Sequence, residues 1–318
     1  MWMARVSVAL PLALFLTHST CSAQDLAPRA YIITPVHWNA VTMTYSFSDG
    51  NTLFDAAIPI TDVAPTLSSA LNAASLSYFH SLDFFGRSAN ITLTIPYGVG
   101  NFDGKFIDNE KKVYRSGLLD LRVRFSVNLL GGPAMTPEQY QSWKHKNILG
   151  VSLTVVAPSG QYDPTKLINN GNNRWGFKPE LGYSGRWGHW VVDGYAGAWF
   201  YTTNSEYFSH NAFFPGTNTH SQAPIASIET HLSYDFKKRG LWVSLDGNFW
   251  GGGRTSLNGM ENLNTTLIDS RIGATGAIPV GKHQSLKFSY SDEVYTRFGG
   301  RSQIVSAAWQ FHWLGRPN

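Results

Sequence analysis

The stretch "THLSYDF" (230–236) sets His231 and Ser233 one residue apart, with Asn248 following on the next predicted strand. A serine nucleophile needs a base within hydrogen-bond reach and a third group to orient that base, and these three residue types are such a set. A second group of residues could do different chemistry. Asp120, Arg122, Arg124, Lys178, Glu180, Asp193, Glu229, His231, Asp269 and Arg271 all fall at polar positions of segments that alternate polar and apolar residues. Charges gathered on one side of a wall either pair into a network that stiffens it or form a constriction that orients a polar solute. Asp235, Asp246, Lys287 and Glu293 extend the same set.

The elements that must position these residues are strands. "LLDLRVRFSVNLL" (118–130) alternates Leu119, Leu121, Val123, Phe125, Val127 and Leu129 with Asp120, Arg122, Arg124, Ser126 and Asn128. Alternate side chains of a strand point to opposite faces, so one face is apolar and the other charged. Twelve segments of this kind run along the chain, near 37–48, 66–82, 89–97, 118–130, 147–157, 174–184, 189–202, 222–236, 241–250, 265–279, 284–296 and 302–313. Tight turns such as "KKRG" (237–240) and "VGKH" (280–283) alternate with longer Asn-, Gly- and Ser-rich loops at 158–173, 203–221 and 251–264. That alternation is the pattern of an up-and-down antiparallel barrel of the outer membrane. One short-turn link, 131–146, is long; its "TPEQYQSW" (136–143) predicts one or two helical turns, with Thr136 as N-cap and Pro137 at N1.

The leader supports export. Arg5, the apolar run "VSVALPLALFL" (6–16) and "CSA" (21–23) read as a signal peptide cut after Ala23, leaving residues 24–318 as the mature chain. Residues 24–35 would then form an N-terminal segment able to plug the periplasmic end, and 36–313 the barrel. The one cysteine, Cys21, leaves with the leader, and losing Arg5 takes the formal charge from +4 to +3. So mild and dispersed a charge excludes a nucleic-acid binder. No later stretch is long and apolar enough for a membrane helix, so a bilayer could be crossed only by strands. The apolar faces end in aromatics (Trp38, Tyr97, Trp175, Tyr183, Trp190, Trp309, Trp313), as interfacial girdles do. The expected arrangement is therefore all-β, apolar outward to outer-membrane lipid and charged inward. A soluble β-sandwich or lipocalin-like barrel is the alternative.

In outer-membrane phospholipases the catalytic face looks at lipid. Here Glu229 and Asp235 continue the His231/Ser233 face, which puts it inside, so no catalytic residue is expected. His189, His210, His220 and His283 lie near turns or loops without ligand spacing, and "GGGR" (251–254) lacks the lysine and helix of a phosphate loop. No metal or cofactor is expected. Phe213 and Phe214, in "EYFSHNAFFPGTNTH" (206–220), are candidates for a hydrophobic landing site where solute passes loops 99–114, 158–173 and 203–221.

"LTVVAPSGQYDPTKLINNGNNRWGFKPELGYS" (153–184), "ETHLSYDFKKRGLWVSLDGNFWGGG" (229–253) and "SLKFSYSDEVYTRFGG" (285–300) together resemble the family of outer-membrane transporters associated with the meta-pathway of phenol degradation, over approximately residues 29–313. The resemblance implies an outer-membrane barrel that moves small aromatic or hydrophobic compounds. It carries no agreed catalytic set. The alternatives are a lipid hydrolase using His231 and Ser233 and a structural barrel that transports nothing.

Overall fold

The computed structural model describes residues 27–53, 66–106, 109–144, 146–211, 214–238 and 240–315. The leader expected at 1–23 and the loop residue Phe213 lie outside the described residues.

Twelve strands form the barrel: β1 (Trp38–Leu53), β2 (Thr66–Phe84), β3 (Arg87–Phe106), β4 in two pieces (Asn109–Leu118 and Arg122–Leu130), β5 (Asn147–Val156), β6 (Gly176–Trp187), β7 (Trp190–Tyr201), β8 (Ile225–Asp235), β9 (Trp242–Gly252), β10 (Leu267–Pro279), β11 (Gln284–Thr296) and β12 (Ser302–Leu314). Each pairs antiparallel with its neighbours in sequence, and β1 pairs with β12 from Trp38↔Leu314 to Gly50↔Ser302, which closes the sheet. Closure leaves no open edge, the condition for strands to span lipid.

Parity decides what faces the bilayer. Leu245 is 66% exposed, Ile272 57% and Val294 56%, all outward, whereas inward-pointing His231, Lys178 and Ser233 are at or below 4%. Outward aromatics gather at both ends of the strands, with Trp187, Trp190 and Trp309 near the short turns and Tyr114, Tyr97 and Phe249 near the long loops. The chain is thus an outer-membrane β-barrel with apolar side chains outside and ionised ones inside. A slip of one residue in β4 would drive Arg122 and Arg124 into lipid, at roughly 2–4 kcal/mol each near mid-depth.

Two expectations need correction. Residues 99–114 are not a loop: β3 and the first piece of β4 run on as a hairpin, paired from Tyr97↔Leu118 to Phe106↔Asn109. "YGVGNFDGK" (97–105) reads as loop because of its Gly, Asn and Asp, yet its main chain keeps the ladder with β2 as far as Gly104↔Leu67. Nor does the alternation of 118–130 run unbroken. Three residues, 119–121, stand opposite Ile95 and Pro96, a bulge where proline offers no N–H to a partner. One extra residue reverses parity, and the Leu119 side chain lies against Gly98 on the inner wall, not outside.

The link 131–146 carries the expected helical turn, α1 (Pro137–Ser142), with Thr136 and Gln139 forming a reciprocal capping box. Met135, Tyr140 and Trp143 of this link pack on Ile33 and Ile148. At the opposite end the loops after β5, β7 and β9 bind one another. Arg174 donates to Gln222 at 2.6 Å, Asn173 Nδ2 to Asn204 at 3.1 Å, and Thr219 N to Asn258 at 2.8 Å. Short strands Asn204–Tyr207, Asn218–Gln222, Thr255–Leu257 and Met260–Asn262 make a small external sheet there.

The candidate channel lumen

The inner wall has two unlike parts. On β6 to β10 many inward positions hold long charged or aromatic residues, buried against one another and against the small inward residues of β5. Lys178 donates to Glu229 at 2.8 Å and stands 2.7 Å from Glu180. His231 Nδ1 meets Asp246 at 2.9 Å, and its Nε2 lies 3.8 Å from Glu229. Asp246 also accepts the hydroxyls of Ser244 and Thr275, each at 2.6 Å. Strand register explains the assembly, because His231 stands directly between Asp193 on β7 and Asp246 on β9. Toward the long loops the same side is apolar: Val156, Trp199, Ile225 and Trp250 form a buried cluster with Tyr201 and Leu267 against it. A further ion pair, Arg271 to Glu293 at 2.6 Å, joins β10 to β11, and Asp269 accepts the Arg297 N–H at 2.9 Å.

The N-terminal segment lies on this crowded side. Tyr31 is fully buried; its hydroxyl bonds Ser152 and the Glu180 carboxylate, both at 3.0 Å. Its ring fits because positions 150 and 182 are glycine: a Cβ on Gly182 would come within 2.0 Å of the ring. Arg29 pairs with Asp235 at 2.7 Å and lies over Trp242, its N–H donates to Asp193 at 3.1 Å, and Arg186 pairs with the same Asp235 at 2.6 Å. The described part of the segment therefore enters the barrel from the short-turn end and lines β4 to β9.

At mid-height on β12, β1, β2 and β3 many inward residues are small, with Leu71, Phe79, Ile304, Gln310 and His312 inward on either side of them. Ser306, Thr42, Thr44, Ser46, Ser75, Ser77, Thr92 and Thr94 point in and stay partly exposed, so solvent reaches them. Arg122 and Arg124 flank this strip on β4, and Lys287, exposed, flanks it on β11. Short hydroxyl side chains on a wall tens of ångströms around leave room that long ones do not. Twelve strands about 4.8 Å apart and tilted ~40° give a backbone diameter of roughly 24 Å.

The expected lumen residues thus divide. Lys178, Glu180, Asp193, Glu229, His231, Asp269 and Arg271 belong to the filled part, and Arg122 and Arg124 border the open part. Asp120 does a different task. Set at the bulge, it accepts Gly160 N, Asn172 N and Asn172 Nδ2, all at 2.9 Å, and so straps the 158–173 loop to the wall. Phe214 is half-buried inside its own loop, its N–H donating to Asn211 at 3.3 Å. His231 and Ser233 share an inward face, but among the described residues the Ser233 hydroxyl has no hydrogen-bond partner, and His231 is engaged by Asp246 and Glu229. Asn248 stands opposite Glu229, not His231.

The hydroxyl-lined strip and the glycine cradle were missed at the level of sequence. A usable signal existed for the strip, since Thr42, Thr44 and Ser46 on β1 and Ser75 and Ser77 on β2 hold adjacent inward positions while inward positions of β6 to β8 carry Lys178, Glu180, Asp193, Glu229 and His231.

No curated protein matches this sequence. The fold is similar to that of an outer membrane channel from Pseudomonas putida F1, at a TM-score of 0.73 and 16% identity, covering 91% of this chain and 100% of that one. The transport unit of the autotransporter AIDA-I from Escherichia coli aligns with a TM-score of 0.52 and 9% identity, over 91% of this chain and 94% of that one. The family model described as the MetA-pathway of phenol degradation matches residues 40–302, and the chain belongs to that family.

Proposed function

We propose that this barrel is a passive outer-membrane channel for small organic compounds, aromatic and hydrophobic ones among them. The observation that carries the reading is the solvent-reached strip of Ser and Thr on β12 to β3, beside an interior otherwise filled. Family membership and the likeness to a channel from Pseudomonas putida F1 support it. Solute would pass along the strip while the ion network opposite keeps the wall stiff. The hydrolase alternative finds less support: a nucleophile without a bonded base, buried inside the barrel, has neither activation nor access to lipid.

Reconstitution in planar bilayers tests this. Discrete conductance steps, with faster entry of phenol or benzoate into proteoliposomes than into empty ones, are expected. Neither effect at any voltage would leave a structural barrel as the better account. Labelling of Ser233 by a serine-hydrolase probe, lost in Ser233→Ala, would instead revive the enzyme.

A further inference from the structure

The side chain of Tyr31 is a phenol, and the barrel holds it as it would hold a small molecule. The ring is fully buried. The Arg124 guanidinium lies 5.0 Å over it, and the Tyr195 ring centroid is 5.1 Å away. Gly150 and Gly182 leave the space that a side chain would take, since a Cβ there would come within 2.5 Å and 2.0 Å of ring atoms. The hydroxyl bonds Ser152 Oγ and the Glu180 carboxylate, both at 3.0 Å. These six residues belong to β4, β5, β6 and β7, whereas the ring arrives on a segment that is no part of the sheet. The rest of that segment is held elsewhere: Arg29 on Asp235 and Asp193, the Ala30 N–H on the Tyr195 hydroxyl at 3.0 Å, and Ile33 against Met135 and Ile148. The contacts of the ring are therefore ones that a free phenol could make in its place.

We propose that the seat of Tyr31 is a binding site for free phenols, and that a phenol taking it displaces the Tyr31 ring and loosens the N-terminal segment. The seat selects by chemistry. A plain arene would fill the glycine cradle but leave Ser152 and Glu180 without their hydroxyl, and a buried site built to bond a hydroxyl rejects the analogue that lacks one. An aromatic carboxylate would set a second negative charge against Glu180. A para substituent points where the Tyr31 main chain now runs, so para-alkyl phenols fit. The tether sets the concentration needed. A short flexible link holds its ring at an effective concentration of about millimolar, and a free phenol competes in that range when the segment opens locally. The consequence for transport rests on the channel reading: a displaced segment leaves the β4 to β9 wall and widens the lumen when phenol is abundant.

The test sets p-cresol, the tyrosine side chain as a free molecule, against toluene, the same shape without the hydroxyl, on the whole barrel in detergent. Trypsin reaches the bond after Arg29 when the segment lifts. On the wild-type protein, p-cresol at about 5 mM should speed the appearance of chains beginning at Ala30 at least about threefold, and toluene should not. Tyr31→Ala vacates the seat. In that variant p-cresol should raise the midpoint of heat-modifiable gel migration by at least about 2 °C, more than toluene does. Adding Gly182→Ala, which puts a methyl group in the seat, should abolish the rise. Equal effects of p-cresol and toluene, a wild-type cleavage rate that p-cresol leaves unchanged, or a rise that survives Gly182→Ala would each overturn the inference. Neither readout uses conductance. A barrel that binds phenol here and never conducts would overturn the channel reading alone, and a conducting barrel whose seat ignores phenol would overturn this inference alone.

Discussion

The β5–β10 side and the β12–β3 side of the barrel obey one rule outside and two rules inside. Outside, both present Leu, Ile, Val and aromatic side chains to lipid. Inside, the first side sets Lys, Glu, Asp, His and Trp in contact, and the second sets Ser and Thr apart. Long ionic side chains cost several kcal/mol each to bury, so they are found only where a partner completes them, and completing them fills the space. Hydroxyl side chains carry no such debt and leave a path. The ion network and the proposed passage therefore lie on different strands.

The same bulky substitution on the two sides should break the molecule in one case and only narrow it in the other. Ser233, fully buried, has no room for an indole, so Ser233→Trp should abolish the folded, heat-modifiable form. Ser75→Trp should fold normally and cut single-channel conductance by about half or more. A folded Ser233→Trp barrel would show that the crowded side is not packed.

Lys178→Met removes the cation between Glu180 and Glu229 and leaves both buried carboxylates without their nearest positive partner. A loss of about 3–5 kcal/mol is expected, read from the shift of urea unfolding in detergent. Lys287→Met, at the edge of the open strip, should change stability by less than about 1 kcal/mol. Equal costs would erase the distinction between the sides.

Gly182→Ala places a methyl group against the Tyr31 ring and should displace the N-terminal segment without unfolding the wall. The expected readout is a larger or noisier conductance together with faster proteolysis near Arg29. Asp120→Ala should release the 158–173 loop, a loss of about 1–3 kcal/mol seen as faster amide exchange at Gly160 and Asn172 only.

The smallest effect concerns pH at that same loop. The Lys166 ammonium, then the Thr165 hydroxyl, holds the Asp163 carboxyl below the usual carboxylate range. A depressed folded-state value means that its support is present above the ordinary carboxylate range and is lost as pH falls through the folded value. The amide-exchange protection factor at Thr165, which corrects for the intrinsic pH dependence of exchange, should thus stay flat through mildly acid pH and fall only in strong acid, whereas Asp163→Asn should lower it at neutral pH.

Part of the contrast between the two sides is legible in the sequence. Residues such as Lys178, Glu229 and His231 were assignable to the inside from parity alone, because a membrane forbids the other face. Parity failed at Leu119, where one inserted residue opposite Pro96 reverses it, and pattern failed at 99–114, where pairing of the main chain persists without apolar alternation. Asp120 looked like another lumen charge; only the approach of Gly160 and Asn172 shows it to be a strap.

What the sequence determined is the barrel itself: the number of strands, the face each turns to lipid, and the ends at which aromatics sit. Those follow from a period of two read against a solvent that accepts no charge. The tertiary structure decided which inward residues meet. That depends on register between strands far apart in the chain, as in Lys178 with Glu229, and on where a segment such as Tyr31 finds glycine instead of a side chain. Contact across a lumen is set by closure of the sheet, and no local periodicity encodes it.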